Sequence, residues 1–318
     1  MALTRPNLLT DAAARQKYAQ GVLLLKAEFS GPTTANLGIP GPSRPVSTYD
    51  LFVVWHHTAM STMTPPTQGD RNAAHRGPVF LPWHRFMLRQ LELNLQRVLN
   101  DSNFGLPYWD WAADGQKSAT QQKKSKVWAA DAMGGSGNPV KTGPFRFKAS
   151  DPTTFSVRIE ANVNGQLVQT SHGLRRALGT QVPKLANKAD TAGAVSMTPY
   201  DAAPWDTSSP GFRNRAEGWA PPAPPALHNR VHVWVGGDML PSSSPNDPVF
   251  YMNHCNVDRV WEAWLTQHGR TYLPPQSAPA SLKGHRINDA MASLVSAPMK
   301  PSEVLDMRSI YTYDSLAV

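Results

Sequence analysis

Two histidines four residues apart, His228 and His232, constrain this chain more than any other feature of its sequence. On a helix, residues at that spacing lie on one face, so both imidazoles can reach a single metal ion. Two imidazoles do not complete a trigonal or tetrahedral shell, which predicts a further ligand from another segment. His254 is the nearest candidate along the chain.

A second group of histidines lies upstream and repeats this arrangement. It contains His56 or His57 on one predicted helix, His75 in a loop, and His84 in the first turn of the next helix. A lone histidine on an apolar helix face is usually a hydrogen-bonded core residue, so the prediction depends on the grouping. Two groups of three predict two metal ions in a core of four helices.

The type of donor atom limits the choice of metal ion but does not determine it. Imidazoles that have no acidic ligand beside them suit copper or zinc better than magnesium or calcium. Paired copper ions would bind dioxygen between them, whereas zinc, which has no redox chemistry, would give a hydrolase. Spacing alone leaves both possibilities open.

Composition excludes several other classes of protein. A chain of 318 residues with 41% hydrophobic content can bury a large core. The net charge is +8, but Lys123, Lys124 and Lys126 form the only local basic group, so we expect no nucleic-acid partner. Cys255 is the single cysteine, which excludes an intramolecular disulfide.

The sequence also gives an expectation for location. No run approaches the roughly 18 apolar residues needed to cross a membrane, so no membrane association is expected. The N-terminus lacks the basic-then-apolar pattern of a secretory signal. We therefore expect a cytoplasmic protein, or one that is secreted only in complex with a partner that carries the signal.

Periodicity and capping residues predict the main helices. Apolar spacing indicates a helix over 9–27, and Ser47 with Asp50 forms a capping-box pattern that begins a second. A third helix is expected over 82–100 with Pro82 at its first position, and a last long helix with Asp247 as its N-cap and Pro248 at its first position.

The remaining segments are predicted to be less regular. Residues 114–150, rich in Gly, Ser and Lys, are expected to form a surface loop. Residues 153–170 predict a small hairpin closed by a type I′ turn at Asn164-Gly165. The proline-rich run at 221–225 ends any regular element before the His228 helix and is too short to be a domain linker. We expect one domain over 1–318.

Five segments together resemble the type-3 dicopper proteins, and bacterial tyrosinases and o-aminophenol oxidases in particular. They are FVVWH (52–56), HRGPVFLPWHR (75–85), LPYWDW (106–111), HNRVHVW (228–234) and DPVFYMNH (247–254), and they occur in the family's order. The resemblance implies a mainly α fold, with an antiparallel four-helix-bundle core that holds a dicopper centre, loops and a few short strands. It also implies that no C-terminal shielding domain is present.

The resemblance assigns six ligands to two copper ions. The first copper would be held by His56, His75 and His84, and the second by His228, His232 and His254. In the family the first ligand follows an aromatic residue, matched here by Phe52, after four positions, which favours His56 over His57. Asp258, one helical turn after His254, could either orient a ligand or pair with Arg85, and a structural ion pair is the favoured role.

The implied activity is oxidation by dioxygen as co-substrate. It comprises ortho-hydroxylation of monophenols and oxidation of o-diphenols or o-aminophenols to quinones or quinone imines. Glu217 and Asn229 match the family residues that hold a water for removing the phenolic proton. Val233, Asn229 and Met252 are the expected rim residues of the substrate pocket, and a small copper-delivery (caddie) protein is the implied partner.

Three rival functions remain at this stage. One is a dedicated o-aminophenol oxidase, or an enzyme that oxygenates the amino group to a nitroso group, with little activity on tyrosine. The second is a dizinc hydrolase, disfavoured because no bridging carboxylate lies in the histidine motifs. The third is an oxygen carrier of the haemocyanin kind, disfavoured by the small single-domain size.

Overall fold

The fold is mainly helical, as the sequence predicts. The structure is a computed structural model that describes residues 2–29, 31–219 and 225–318. The helices are α1 (Ala12–Ala27), α2 (Thr48–Ser61), α3 (Phe80–Leu99), α4 (Trp111–Gly115), α5 (Ala119–Gln122), α6 (Lys188–Val195), α7 (Phe212–Glu217), α8 (Leu227–Val235), α9 (Val249–His268) and α10 (Pro301–Val304). Four short strands accompany them: β1 (Leu3–Arg5), β2 (Val157–Ala161), β3 (Leu167–His172) and β4 (Tyr311–Tyr313).

The first two long helices begin at side-chain caps that the sequence predicts or contains. The Asp11 carboxylate accepts the Ala14 amide at the start of α1, and the Ser47 hydroxyl accepts the Asp50 amide at the start of α2. Each cap satisfies an amide that has no partner within the helix. Both helices therefore start within three residues of their expected positions.

The third helix starts earlier than predicted. It begins at Phe80, so Pro82 is its third residue and not its first. A proline is tolerated there because the amides of the first turn have no acceptor within the helix. The helix ends at Leu99, and its C-cap residue Asn100 adopts the left-handed conformation with φ of 50°.

The start of the last long helix also differs from the prediction. Its N-cap residue is Pro248, one position after the predicted Asp247. The Asp247 carboxylate nevertheless accepts the Val249 amide at 3.0 Å, so it caps the helix from one residue further out. Asp247 also pairs with Arg176 at 2.6 Å, and both side chains are fully buried.

The main hydrophobic cluster extends from Leu8 to Tyr313, and a small second cluster contains Ile39, Val46, Val54 and Ile159. Helix α3 packs against both α1 and α9, and its Leu88, Leu91 and Leu95 are buried along the predicted stripe. Among the described residues, none of the helices combines the length and the apolar character needed to span a membrane.

The two ends of the chain meet beside this core. Strand β1 pairs in parallel with β4. Next to them the buried Asp258 carboxylate pairs with Arg85 at 2.5 Å and with Arg5 at 3.1 Å, and it accepts the hydroxyls of Tyr311 and Tyr313. The expected Asp258–Arg85 ion pair is confirmed, and it belongs to a network that ties α3 and α9 to the chain termini.

The prediction of a surface loop over 114–150 is wrong. The segment contains the last two residues of α4, the whole of α5, and several buried apolar side chains, among them Val127, Met133 and Val140. Trp128 packs edge-on against Trp109 with their ring centroids 5.2 Å apart. The high content of Gly, Ser and Lys conceals these apolar anchors, which are spaced too widely to give a periodic signal.

The hairpin is confirmed, but its turn is not the predicted one. Strands β2 and β3 pair antiparallel around a five-residue loop, 162–166. Of the two central residues of the expected turn, only Gly165 has a positive φ, at 72°. The Asn162 side chain accepts the amides of Asn164 and Gln166, which stabilises the longer loop in place of a type I′ turn. The proline-rich run lies outside the described residues except for Pro225.

Candidate metal centre

The upstream histidines form one compact group. His56 comes from the middle of α2, His75 from the loop before α3, and His84 from the first turns of α3. One ring nitrogen from each lies within 4.8 Å of the other two, and all three side chains are buried. We call His56, His75 and His84 the first triad.

The downstream histidines form a second group with the same geometry. His228 and His232 lie one turn apart on α8, and His254 lies on α9, which packs beside α8. Their nitrogens again lie within 4.8 Å of one another, and the Nε2 atoms of His228 and His254 are 3.1 Å apart. We call His228, His232 and His254 the second triad.

The two triads share a wall. The rings of His84 and His254 stack with centroids 4.1 Å apart and planes 12° apart. His75 of the first triad lies 6.1 Å, centroid to centroid, from His228 of the second. Two ions held in these triads would therefore be neighbours and could act on one small ligand.

Hydrogen bonds orient four of the six imidazoles. In the first triad, the Nδ1 atoms of His56 and His84 lie 2.7 Å and 2.8 Å from the carbonyls of Ser242 and Phe80. A carbonyl can only accept, so each Nδ1 carries the proton and each Nε2 presents a lone pair towards the triad.

The second triad uses the same device with one difference. The Nδ1 of His232 donates to the Met239 carbonyl at 2.6 Å. The Nδ1 of His228 donates to the side-chain oxygen of its neighbour Asn229 at 2.9 Å. The same Nδ1 also lies 3.3 Å from the Glu217 carbonyl, so His228 is oriented by one side-chain acceptor and one backbone acceptor.

The triads fit a metal ion that prefers nitrogen donors. Several buried ring nitrogens have no hydrogen-bond partner in the described part of the chain, among them the Nε2 atoms of His56, His84 and His232. Unpartnered buried polar atoms are costly, and native proteins rarely keep them without a reason. A copper ion in each triad would satisfy these atoms.

The protonation state of the imidazoles also fits a metal. Burial lowers the pKa of His56 to about 3, and lowers the pKa of His232 to about 4 although this residue is partly exposed along a cavity. Burial, with the charge of neighbouring imidazoles, lowers the pKa of His75, His84 and His254 well below 6.5, and the pKa of His228 shifts in the same way. All six rings are therefore neutral at neutral pH and can donate a lone pair.

His57 points away from both triads. Its Nδ1 lies 2.8 Å from the Ser242 hydroxyl, and its Nε2 lies 3.4 Å from the Ser61 hydroxyl. Ser242 thus binds two adjacent histidines, His56 through its carbonyl and His57 through its side chain. The geometry favours His56 as the ligand and gives His57 a supporting contact.

A cavity of about 510 Å³ opens over the triads. Four triad rings and two expected rim residues, Asn229 and Val233, border it, whereas the third expected residue, Met252, is fully buried elsewhere in the core. Sequence reasoning missed other lining residues: Met60, Arg76, Trp219, Leu240, Pro241 and Ser244. These residues come from separate segments of the chain. Only Arg76 could have been identified from the sequence, because it directly follows the predicted ligand His75.

Glu217 lies one layer behind the cavity wall. Its carboxylate is fully buried and accepts the Arg76 amide at 2.7 Å and the Arg213 guanidinium at 3.0 Å. Burial raises the pKa of Glu217 against the opposing effects of Arg213 and of these hydrogen bonds. Asn229, by contrast, borders the cavity directly.

A further cluster of possible ligands contains Glu160, His172 and Asp238, and an arginine already pairs with its two carboxylates. The Arg175 guanidinium lies 2.5 Å from Glu160 and 2.6 Å from Asp238, so it already supplies the positive charge that a metal ion would bring. This cluster is an ion-pair network.

Comparison with known proteins agrees with this geometry. Residues 46–267 match the family model described as the common central domain of tyrosinase. The chain is 38% identical over 272 residues to a tyrosinase of Streptomyces glaucescens, which covers 84% of this chain and 89% of that protein. It is 35% identical over 288 residues to grixazone synthase of Streptomyces griseus, with 84% and 90% covered.

Solved structures show the same fold. A variant of polyphenol oxidase from Thermothelomyces thermophila matches with a TM-score of 0.72 at 22% identity, covering 99% of this chain and 89% of that one. A functional unit of octopus hemocyanin matches with a TM-score of 0.56 at 18% identity, covering 99% and 69%.

Proposed function

The chain belongs to the tyrosinase family, and we propose that the six histidines of its two triads hold the two copper ions with which this copper-dependent oxidoreductase uses dioxygen. The observation that carries the proposal is the pair of triads itself. Two sets of neutral, inward-facing imidazoles share the His84–His254 stack and border one open cavity. The absence of a bridging carboxylate among the grouped residues disfavours a dizinc hydrolase.

When bound, the dicopper centre activates dioxygen for ortho-hydroxylation of monophenols and for oxidation of o-diphenols or o-aminophenols. The chain itself supplies the binding site and its polarity. Neutral imidazoles hold either oxidation state of copper without adding negative charge. The apolar cavity side chains Met60, Val233 and Leu240 provide a surface for an aromatic ring and exclude water around it.

The phenolic proton requires an acceptor, and we assign it to a water held by Glu217 and Asn229. A buried carboxylate with a raised pKa suits a base that takes a proton at neutral pH. The hydrogen bonds from Arg76 and Arg213 fix the orientation of the carboxylate, and Asn229 brings a polar group to the cavity surface. The proton would pass from the phenol oxygen through the water to Glu217.

The Glu217→Gln substitution tests this assignment. It removes the proton acceptor but keeps the size of the side chain, so monophenol turnover should fall about 10²-fold or more, because a positioned base contributes on that order. Catechol turnover should fall far less. Rates of oxygen uptake with tyrosine and with a catechol measure both, and equal losses on the two substrates would contradict the role of Glu217 as base.

The preferred substrate is the less determined part of the function. The chain is nearly as similar to grixazone synthase as to the streptomycete tyrosinase, at 35% against 38% identity. We therefore keep a dedicated o-aminophenol oxidase as the second candidate. Turnover of tyrosine, a catechol and 3-amino-4-hydroxybenzoate on the copper-loaded protein separates the two, since a dedicated aminophenol oxidase would show little activity on tyrosine.

Metal analysis tests the proposal as a whole. We expect two copper ions per chain and an intense near-ultraviolet band when peroxide is added to the copper-loaded protein. Zinc without such a band would overturn the oxidase. Reversible oxygen binding without any turnover of catechol would indicate an oxygen carrier instead.

We further propose one tyrosinase-like domain over 1–318 that is loaded with copper by a small delivery protein in the cytoplasm, or exported with it. The continuous hydrophobic cluster from Leu8 to Tyr313 supports the single domain. Limited proteolysis should give no stable fragment.

Copper content after expression with and without a candidate delivery protein tests the proposed partner. Equal copper loading in the two cases would argue against it.

A further inference from the structure

We propose that Arg76 selects substrates that carry a carboxylate on the phenol or aminophenol ring system. This inference rests on the proposed oxidase function and adds the chemical class of the substrate. Arg76 directly follows His75 of the first triad and borders the same cavity as both triads. Among the described residues that line this cavity, it is the only one with a permanent charge.

The backbone of Arg76 is held in an unusual conformation. Its φ is 63°, in the left-handed region that residues other than glycine rarely adopt. The Arg76 amide donates at 2.7 Å to the fully buried Glu217 carboxylate, a charge-assisted bond that stabilises the strained conformation. The base of the side chain is therefore fixed, and the guanidinium can sample only a limited part of the cavity rim.

The charge of Arg76 is not matched by a carboxylate in the described part of the chain. The Glu217 carboxylate binds the backbone amide of Arg76, and its charge is paired with the guanidinium of Arg213 at 3.0 Å. The side-chain ion pairs of the structure do not include Arg76, whereas most buried arginines, such as Arg5 and Arg85, have one. Arg76 is exposed and available to an incoming anion.

The neighbouring aromatic ring completes the subsite. The Arg76 guanidinium carbon lies 5.8 Å from the ring centroid of Trp219, which also borders the cavity. A contact through the guanidinium face leaves its N–H groups directed outward. Their planar fork can bind a carboxylate through two parallel hydrogen bonds while the substrate ring rests in the apolar part of the cavity.

A pair of matched substrates tests the inference on the copper-loaded protein. We compare 3,4-dihydroxyphenylpropionate with its amide, because the two share the catechol ring and differ in the distal charge. The ratio of kcat/KM for acid over amide should exceed one in the wild type. It should fall about twofold to fivefold in Arg76→Gln, through KM of the acid, which is the range for one exposed ionic contact.

Two further variants serve as controls. Arg76→Lys keeps the charge but loses the fork, and should retain part of the preference. Gln and Lys meet the same left-handed backbone conformation as Arg, so the three proteins are matched in strain. Arg230→Gln removes a charge from α8 that does not border the cavity, and it should leave the acid-to-amide ratio unchanged.

Binding provides a readout that does not depend on turnover. Calorimetry should show that Arg76→Gln weakens 3-phenylpropionate several-fold more than 3-phenylpropionamide. In the wild type the preference for the acid should decline as salt is raised, since an exposed ionic contact is screened. This measurement keeps the inference testable even if a variant fails to fold.

The outcomes separate this inference from the proposed function. No oxidation of either catechol would overturn the oxidase itself. Oxidation of both with an acid-to-amide ratio that Arg76→Gln and added salt leave unchanged would overturn only the role of Arg76.

Discussion

The two triads hold their histidines by different means. In the second triad, all three imidazoles project from the helices α8 and α9. The first triad takes His75 from a loop, where the Asn72 side chain accepts the His75 amide at 2.7 Å and the His75 carbonyl accepts the Asn72 amide. Helix geometry fixes ligands through local spacing, whereas a loop ligand depends on contacts from distant parts of the chain.

The contacts that hold the loop of the first triad also differ from those that hold the helices of the second triad. The loop of the first triad is braced by His285, which is fully buried and binds the Thr64 hydroxyl at 2.8 Å. A Cβ on Gly77 would lie 2.8 Å from the His285 ring, so glycine is required for this close approach. The second triad instead relies on the buried Arg176–Asp247 pair at the start of α9.

Removal of one ligand from each triad should have the largest effect. His84→Ala and His254→Ala are each expected to lose one copper ion and nearly all catechol turnover, because each leaves an incomplete shell in one triad and an intact one in the other. Metal analysis measures the retained copper. His268→Ala, which removes a histidine of α9 outside the triads, is the control. Loss of both ions from either variant would show that the triads are not independent.

Loss of a buried ion pair at the start of a helix should have the next largest effect. Asp247→Asn leaves Arg176 buried without its counter-charge, and should lower the free energy of unfolding by about 3–5 kcal/mol. Asp50→Asn at the start of α2 should cost less, about 1–3 kcal/mol. Its buried partner Lys26 has a pKa already lowered by burial and can lose its proton, whereas an arginine cannot. Urea unfolding of both variants measures the difference, and equal losses would contradict this explanation.

The stability that His285 contributes beside the first triad should depend on pH. Burial, followed by the charges of Arg71 and Arg213, lowers the pKa of His285 from 6.5 to about 3. The folded protein therefore resists protonation of His285, and the stability that its neutral form provides is full above pH 6.5 and declines as pH falls towards 3. At pH 5 the loss is about 2 kcal/mol.

His285→Gln isolates this contribution. Glutamine does not titrate, so unfolding of the variant should take up about one proton fewer between pH 6 and pH 4, and its stability should depend less steeply on pH. The other histidines contribute equally to both proteins. Urea midpoints across this range measure the difference, and parallel pH profiles would refute the role of His285.

The smallest effect is expected at the contact between Ser242 and His57. Ser242→Ala removes the hydroxyl that binds His57 but keeps the carbonyl that orients His56. We expect the affinity of the first copper to fall about tenfold, the lower end for residues that orient ligands. His57→Ala should do the same, and the double variant should be no worse than either. Chelator competition measures these affinities, and additive losses would mean that the two residues act separately.

Prediction from the sequence succeeded where structure is set locally. The spacing of His228 and His232, the cap at Ser47, and the apolar stripe of α3 each depend on residues within a few positions of one another. It failed over 114–150, where Trp128 packs against Trp109 and not against its sequence neighbours. It also gave no indication that Glu217 is fully buried behind the cavity wall.

The sequence by itself was enough to predict the candidate donors and the helices that carry most of them, and its single cysteine excludes an intramolecular disulfide. Those properties follow from residue identity and helical period. Only the tertiary structure decided that the triads share the His84–His254 stack, that His57 binds Ser242, and that Arg76 stands at the cavity rim. These relations join residues far apart in the chain, and packing of the whole core, which no local pattern encodes, sets their distances.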